Sequence, residues 1–227
     1  IQAEPAVQNG RFEIQDESPQ MVALLSGAQP GQNVREYCAG GGGKTLALAS
    51  HMGNKGQIHA TDSDKARLAP IFERMKRAET RNVQVHAAKS DLTALESAMD
   101  LVLIDAPCTG AGTWRRRPDA KWRLSQSQLD QRVNEQASIL EKAKAFVKPG
   151  GRIAYITCSV FEAENAGQVR RFLGANADFK AIDPKSLMLA LLPALPAEAV
   201  LLSPQGLTLT PLRTGTDGFF LSVLQKS

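Results

Sequence analysis

Short apolar runs of four to six residues alternate along the chain with longer stretches whose apolar residues recur every three or four positions. The short runs predict strands and the longer stretches predict helices. Their alternation predicts an α/β fold, a parallel sheet flanked by helices on both faces. The expected strands are residues 33–37, 57–61, 83–87, 101–104, 152–157, 179–182 and 219–224, about seven in all. Residues 101–104 read Leu-Val-Leu-Ile with no polar alternation, the pattern of a strand covered on both sides. Among the helices, Ser18-Pro19 reads as an N-cap followed by proline at the first helical position, opening a helix that ends near Gly27. Residues 45–52 form the next. Ser63 is then expected to cap a helix carrying Leu68, Ile71, Phe72 and Met75. Ser125 and Gln128 match a capping box, which opens a long helix to the neighbourhood of Val147. Pro149-Gly150-Gly151 turns the chain into the next strand, and a further helix covers residues 162–173. Residues 184–206 predict no definite element.

A chain of 227 residues suits a single core, read here as a lead-in segment, 1–30, packed on a main domain, 31–227. The most apolar stretch, 187–202, is broken by Pro193 and Pro196 and is too short to span a bilayer, so no membrane association is expected. The polar, acidic start does not read as a signal peptide. The sequence opens on Ile1 rather than Met, which leaves room for a further N-terminal RNA-binding domain outside it. Three cysteines, Cys38, Cys108 and Cys158, are too few and too odd in number for a disulfide framework, so a reducing cytoplasm is the expected compartment. They form no CxxC pair, and His51, His59 and His86 are scattered, so no metal is expected. Oligomeric state is not legible.

The placement of charge matters more than its net value of +4. Residues 114–123 read Trp-Arg-Arg-Arg-Pro-Asp-Ala-Lys-Trp-Arg, which leaves the rest of the chain near neutrality. Arg115, Arg116, Arg117, Lys121 and Arg123, edged by two tryptophans, are a candidate nucleic-acid footprint: cations neutralise phosphates and flat rings stack on bases. A solvated basic loop has the same composition.

In open sheets of this kind ligands sit beyond the carboxyl ends of the strands. Four informative segments fall there: 38–44, Asp62, 105–108 and 157–159. Gly40 to Gly43 lie between a strand and a helix, where glycine lets the backbone approach a ligand and the helix start offers free N–H groups. Asp62, ending the next strand, is placed to accept from ribose hydroxyls. A P-loop would need glycine at position 38, which is Cys38. A dinucleotide fingerprint would need glycine at position 45, which is Thr45. S-adenosylmethionine is the remaining common nucleotide. Cys108 and Cys158 follow two successive expected strands, so their thiols meet in one crevice if those strands are neighbours. Either cysteine alone reads as a small buried hydrophobe.

Together these residues resemble the 5-methylcytosine RNA methyltransferases of the Sun/Fmu type, the group containing the bacterial small-subunit ribosomal RNA methyltransferase B. The resemblance covers nearly the whole chain. Gly10-Arg11-Phe12 and Gln15-Asp16-Glu17-Ser18 resemble the family's lead-in. Cys38-Ala39-Gly40-Gly41-Gly42-Gly43-Lys44-Thr45 resembles its cofactor loop, and Asp62 its ribose-binding acid. Asp105-Ala106-Pro107-Cys108-Thr109-Gly110 and Tyr155-Ile156-Thr157-Cys158-Ser159 are similar to its two catalytic motifs. Arg116-Arg117-Pro118-Asp119, Lys121-Trp122, Glu164-Asn165 and Asp217-Gly218-Phe219-Phe220 also fit.

The resemblance implies a Rossmann-like S-adenosylmethionine-dependent methyltransferase fold with residues 31–227 as the catalytic domain. It implies methyl transfer to carbon 5 of a cytosine in RNA, with ribosomal RNA as the expected substrate, through a covalent cysteine adduct. Cys158 is implied as the nucleophile, Cys108 as the group assisting proton loss or release, and Asp105 as the group on the pyrimidine edge. Cys38, Ala39, Gly40 to Gly43, Lys44, Asp62 and Asp105 are implied to bind the cofactor. The loop 115–117 is expected to favour the Cys158 thiolate if it lies nearby. Two positions depart from the family pattern. Gly40-Gly41 stands where Ala-Pro is usual, and Lys89 stands where an aspartate usually meets the adenosine, with Ser90 and Asp91 as the neighbouring substitutes. Two other readings stay open: a methyltransferase for another acceptor, such as DNA cytosine or a protein side chain, and a catalytically silent RNA-binding module.

Overall fold

The computed structural model describes residues 4–227, so the first three residues of the expected lead-in lie outside the described residues. The strands are β1 (Asn33–Tyr37), β2 (Gln57–Thr61), β3 (Val83–His86), β4 (Met99–Asp105), β5 (Val147–Thr157), β6 (Phe179–Ala181), β7 (Leu201–Ser203), β8 (Gly206–Leu209) and β9 (Phe219–Lys226). The helices are α1 (Pro5–Gln8), α2 (Glu17–Leu25), α3 (Gly43–His51), α4 (Lys65–Leu68), α5 (Ile71–Arg77), α6 (Gln126–Ala143), α7 (Ala166–Ala175), α8 (Pro184–Leu191) and α9 (Pro211–Thr214).

The strands form one sheet in the order β3-β2-β1-β4-β5-β9-β8-β7. The first five are parallel, and β9, β8 and β7 are antiparallel to their neighbours. The outer edge of β9 is shared: β8 pairs with its first half and β6 with its second. Strand order reverses between β1 and β4, which opens the crevice where such folds bind ligands.

The core explains why β4 lacks polar alternation. Leu101 and Leu103 join one apolar cluster with α2, α3 and α8, while Val102 and Ile104 join another on the opposite face with α6 and α7. All four are fully buried, as are Ile153 to Ile156 of β5. The register Leu103↔Ala154 and Asp105↔Ile156 fixes where the two strands end relative to each other.

The Rossmann-like expectation holds, with differences in detail. The sheet has nine strands rather than seven, because Leu201–Ser203 and Gly206–Leu209 form a hairpin beyond β9. Their runs are short and half exposed, and Gly206 at their bend has no room for a side chain, since Leu221 O lies 2.3 Å from where a Cβ would stand. The cap of α2 is Asp16, not Ser18. The Asp16 carboxylate accepts from Ser18 N, and Ser18 Oγ donates to Asp217 O at 2.7 Å. Asp64, not Ser63, caps the chain after β2. The expected single helix there is two, α4 and α5, parted at Pro70, whose ring cannot continue the hydrogen-bond ladder. Phe72 consequently points to solvent. The Ser125–Gln128 capping box is present, and its helix stops at Ala143, with a 3-10 turn before β5.

Glu36 lies inside the sheet, fully buried, and accepts from Thr45 Oγ1 at 2.5 Å. Burial pushes its carboxyl from the ordinary 4.5 up to about 8, only partly opposed by that hydrogen bond and by Lys44. The folded protein therefore keeps a proton that the unfolded chain releases. Stability from this group is full below pH 4.5, falls as pH rises towards about 8, and is level above. Glu36→Gln should remove this slope and raise stability at pH 8 relative to the parent by a few kcal/mol. Urea unfolding at pH 5 and pH 8 measures it, and equal pH slopes for parent and variant would reject the assignment.

Candidate functional site

The two parallel strands β4 and β5 end side by side, and each is followed by a cysteine loop. Cys108 Sγ and Cys158 Sγ lie 3.3 Å apart as free thiols in hydrogen-bond contact. That separation is a sulfur hydrogen bond and not a disulfide, which would be about 2.05 Å. The hydrogen bond from Cys108 lowers the Cys158 pKa below the usual thiol value, against burial and the charge of Asp105, with Lys44 assisting. The same hydrogen bond, with burial, pushes Cys108 well above it. Of the two thiols Cys158 is therefore the more acidic, with Cys108 as the partner that keeps its proton.

Lys44, the second residue of α3, sends its Nζ to Asp105 Oδ2 at 2.6 Å. Burial works against its ammonium, yet the Asp105 carboxylate holds its pKa above the ordinary lysine value. Sequence reasoning placed Lys44 among the cofactor residues and assigned the thiolate's cation to the arginine loop. The structure puts Lys44 beside Asp105 and close enough to Cys158 to favour its charge. The start of α3, which follows the glycine turn directly, thus delivers one cation to Cys158, and Arg116 of the basic loop also lies within electrostatic reach of it, as expected.

A buried hydrogen-bond network fixes the two cysteine loops. Glu164, fully buried, accepts from Thr109 N at 2.9 Å, Thr109 Oγ1 at 2.6 Å and Gln136 Nε2 at 3.0 Å. Its carbonyl accepts from Tyr155 OH at 2.7 Å. Asn165 accepts from Thr157 Oγ1 at 2.5 Å and donates to Ser159 O at 2.9 Å, so Cys158 is framed from both sides. Gly112 closes the rest: its N–H donates to Cys158 O, and its carbonyl accepts from Gly218 N. A Cβ on Gly112 would stand 2.0 Å from Gly218 O, so no other residue fits. Gln136 was legible as a polar residue in the apolar stripe Val133, Gln136, Leu140, Ala143 of α6, the usual mark of a buried, satisfied amide.

The glycine turn after β1 is left-handed at Cys38, Gly40 and Gly42. Gly40 N donates to Asp62 Oδ2 at 2.9 Å, and Asp64 N donates to Asp62 Oδ1 at 2.8 Å, so the carboxylate is oriented with lone pairs to spare. Gly42, the N-cap of α3, has no room for a side chain, because Ile71 lies 2.5 Å from where its Cβ would stand. Ala39 faces an apolar cluster with Ala60, Leu68 and Ile71, so its part in the site is through its backbone. A cavity of about 590 Å³ runs from Cys38 and Ser63 past Pro107 to Arg132, Glu135 and Ile139 of α6. Burial and the charges of Asp62 and Asp105 push the Cys38 thiol up to about 12, so it faces this cavity uncharged. Lys89 is exposed in a turn beyond β3, and Asp91 spends one carboxylate oxygen on Thr93 N and Oγ1.

The basic loop divides. Arg115 pairs with Asp16 at 2.6 Å and with Asp217 at 3.3 Å. Arg116 reaches fully buried Asp217 through Nε at 2.8 and 3.1 Å and through Nη2. These two arginines tie the loop to the lead-in and to the start of β9. Arg123 pairs with Asp119. Arg117 and Lys121 are exposed and have no carboxylate partner among the described residues, and Lys121 lies over the Trp122 ring, itself 81% exposed. Trp114 is turned inward, edge-on to Phe161. Among the described residues no group of three or more His, Cys, Asp or Glu is placed to hold a metal, and no helix is long and apolar enough to cross a membrane.

The thiol pair predicts an order of reactivity, since the thiolate is the nucleophile. Iodoacetamide at pH 7 should label Cys158 before Cys108 and Cys38. Cys108→Ala removes the donor and should shift the Cys158 labelling midpoint to higher pH. Peptide mass spectrometry over a pH series reads both, and labelling of Cys108 ahead of Cys158 would reverse the assignment.

Among known proteins, the chain is 34% identical to the probable ribosomal RNA small subunit methyltransferase B of Bacillus subtilis, over 96% of this chain and 48% of that protein. It is 31% identical to the protein of the same description from Synechocystis, over 98% of this chain and 49% of that protein. The solved structure of PH0851 matches with a TM-score of 0.87 and 34% identity, over 98% of this chain and 49% of that one. The chain spans about half the length of the curated relatives it matches. The model of the family described as 16S rRNA methyltransferase RsmB/F matches residues 23–225, nearly the whole sheet and every residue of the thiol pair and its network. On these matches the chain belongs to the RsmB/F family.

Proposed function

We propose that this protein transfers a methyl group from S-adenosylmethionine to carbon 5 of a cytosine in ribosomal RNA. The observation that carries the reading is the Cys108–Cys158 pair at 3.3 Å, set beside the Lys44–Asp105 ion pair at the point where strand order reverses. The relatives described as ribosomal RNA methyltransferases support the choice of substrate.

The residues present suit the cofactor. Asp62 offers an oriented carboxylate to a ribose, the first turn of α3 is uncapped by any side chain and would offer its free N–H groups to a carboxylate, and Ile139 and Pro107 supply apolar cover in the neighbouring cavity. S-adenosylmethionine, when bound, supplies an electrophilic methyl group. Carbon 5 of cytosine is a poor nucleophile, which a covalent detour corrects. The Cys158 thiolate adds to carbon 6 of the ring, and the electron pair of the 5,6 double bond makes carbon 5 nucleophilic. Asp105, held by Lys44, hydrogen-bonds the pyrimidine edge. Once Cys158 is a thioether, the anion that kept Cys108 protonated is gone, so Cys108 sheds its proton to solvent and its thiolate accepts the carbon 5 proton. Loss of that proton with breakage of the sulfur–carbon 6 bond returns the thiolate. The ring must leave its stack to be reached from both faces.

Cys158→Ala should abolish methyl transfer to ribosomal RNA while leaving S-adenosylmethionine binding by calorimetry unchanged, and Cys108→Ala should accumulate a protein–RNA adduct that survives a denaturing gel. Full tritiated-methyl incorporation by the first variant would refute the nucleophile. Charge makes a separate prediction. Replacing Arg117 and Lys121 with Ala should lower the slope of log affinity against log salt by about 1 per residue. Replacing Arg116 instead should lower the melting temperature, because Asp217 loses its closest partner. A steeper salt slope change from Arg116 than from Arg117 would contradict this division.

A further inference from the structure

A second cavity, about 300 Å³, meets the first at Arg132 and opens onto Cys108 where the first opens onto Pro107. Its floor is Cys108 and Thr109, and its walls are the 3-10 segment Pro118–Arg123 and one face of α6. Cys158, Asp105 and Lys44 line none of it. It is therefore distinct from the place where the target ring must lie to meet the thiolate, yet it adjoins that place through Cys108.

The polar groups facing it are Gln128, Gln131 and Arg132 of α6, spaced three and four residues apart on one helix face, with Arg123 opposite. Each has one hydrogen bond already committed. Gln128 Oε1 accepts from Ser125 N at 2.9 Å, which leaves its Nε2 as a free donor. Gln131 Nε2 donates to Glu135 Oε1 at 2.9 Å, which leaves its Oε1 as a free acceptor. Arg132 Nη1 donates to Glu135 Oε2 at 2.6 Å, which leaves its Nη2. Leu124 and Ala120 supply an apolar wall. One amide donor and one amide acceptor, fixed by their other halves and set beside an apolar surface, match the edge and face of a nucleobase, while Arg123 and Arg132 at its sides are each already paired with a carboxylate.

We propose that this cavity holds the nucleotide directly next to the target cytosine, and that Gln128 and Gln131 read its base. The inference rests on the reading of the protein as an RNA cytosine methyltransferase, and it gives the enzyme sequence selectivity from within this chain. The base that enters lies against Cys108, so correct occupancy also steadies the loop that carries the second thiol.

The test uses unmodified small-subunit ribosomal RNA transcribed in vitro, with the methylated cytosine mapped by bisulfite sequencing. Oligoribonucleotides spanning that cytosine are then made with each of the four bases on either side, and kcat/KM is measured for each. The unaltered protein should prefer one base at one flank by about tenfold. Gln131→Leu should flatten that preference. Gln128→Glu, which keeps the capping box but replaces the free donor with an acceptor, should change which base is preferred. Unchanged melting temperatures and unchanged iodoacetamide labelling of Cys158 in both variants establish that the fold and the thiol pair are intact. Equal rates for all flanking bases in the unaltered protein, or a preference that survives both substitutions, overturns the inference alone. No methyl transfer to any RNA by the unaltered protein overturns the reading beneath it.

Discussion

One sulfur hydrogen bond organises this site. It joins loops fifty residues apart in sequence, Cys108 and Cys158, across 3.3 Å. Such a contact exists only if β4 and β5 run parallel, lie adjacent and end in the register Asp105↔Ile156. That register is in turn set by two apolar layers that bury both faces of both strands, where a slip of one residue would turn every side chain to the wrong layer. The reactivity of a surface crevice thus depends on packing in the middle of the sheet. The network around Glu164 converts strand register into sulfur position, since it grips Thr109 on one loop and, through Asn165 and Thr157, frames Cys158 on the other.

Charge near the thiols is arranged around one buried ammonium. Glu36 stands near two other acids, Asp62 and Asp105, and near that ammonium, Lys44. If all three acids were charged, the Cys158 thiolate would be disfavoured. Burial neutralises Glu36, two backbone N–H groups satisfy Asp62, and Lys44 pairs with Asp105. The cation is left balanced locally and still able to favour the thiolate. Cys38 shows the opposite outcome at short range: burial and two carboxylates outweigh the opposing charge of Arg67, and its thiol is pushed up to about 12.

Much of this was legible in the sequence, for identifiable reasons. The strands β4, β5 and β9 announce themselves by nearly unbroken apolar runs, as strands covered on both faces do, while β1, β2 and β3 mix polar with apolar residues and are marked mainly by the turns around them. The turn after β1 is marked by its four glycines, and the thiol motifs by their position at strand ends. What escaped depends on contacts between distant residues. The hairpin β7–β8 is short, half exposed and preceded by two prolines, so no periodicity marks it. Asp16 displaces Ser18 as a cap because Ser18 has a tertiary acceptor in Asp217 O, which local sequence does not reveal. Lys44 reads as part of a nucleotide loop because its neighbours are glycines, and only the fold shows that its side chain points across the crevice to Asp105.

The basic loop carries the sharpest lesson about charge counted along a sequence. Five cations within ten residues look like one footprint, but a cation can bind phosphate or hold the fold, and here the two uses are divided by burial. Arg115 and Arg116 converge on Asp217, which is fully buried and whose N–H and carbonyl also bond to Asp16 and Ser18 of the lead-in. An unpaired carboxylate there would be costly, so these arginines are bound to structure first. Asp217 directly precedes Gly218, whose N–H holds Gly112, whose own N–H holds Cys158 O. The loop that presents Arg117, Lys121 and Trp122 to solvent is therefore anchored through the same few bonds that position Cys158. If RNA binds this loop as proposed, its pull is transmitted to the frame of Cys158, which would tie substrate contact to the geometry of the thiol pair without any element having to move far.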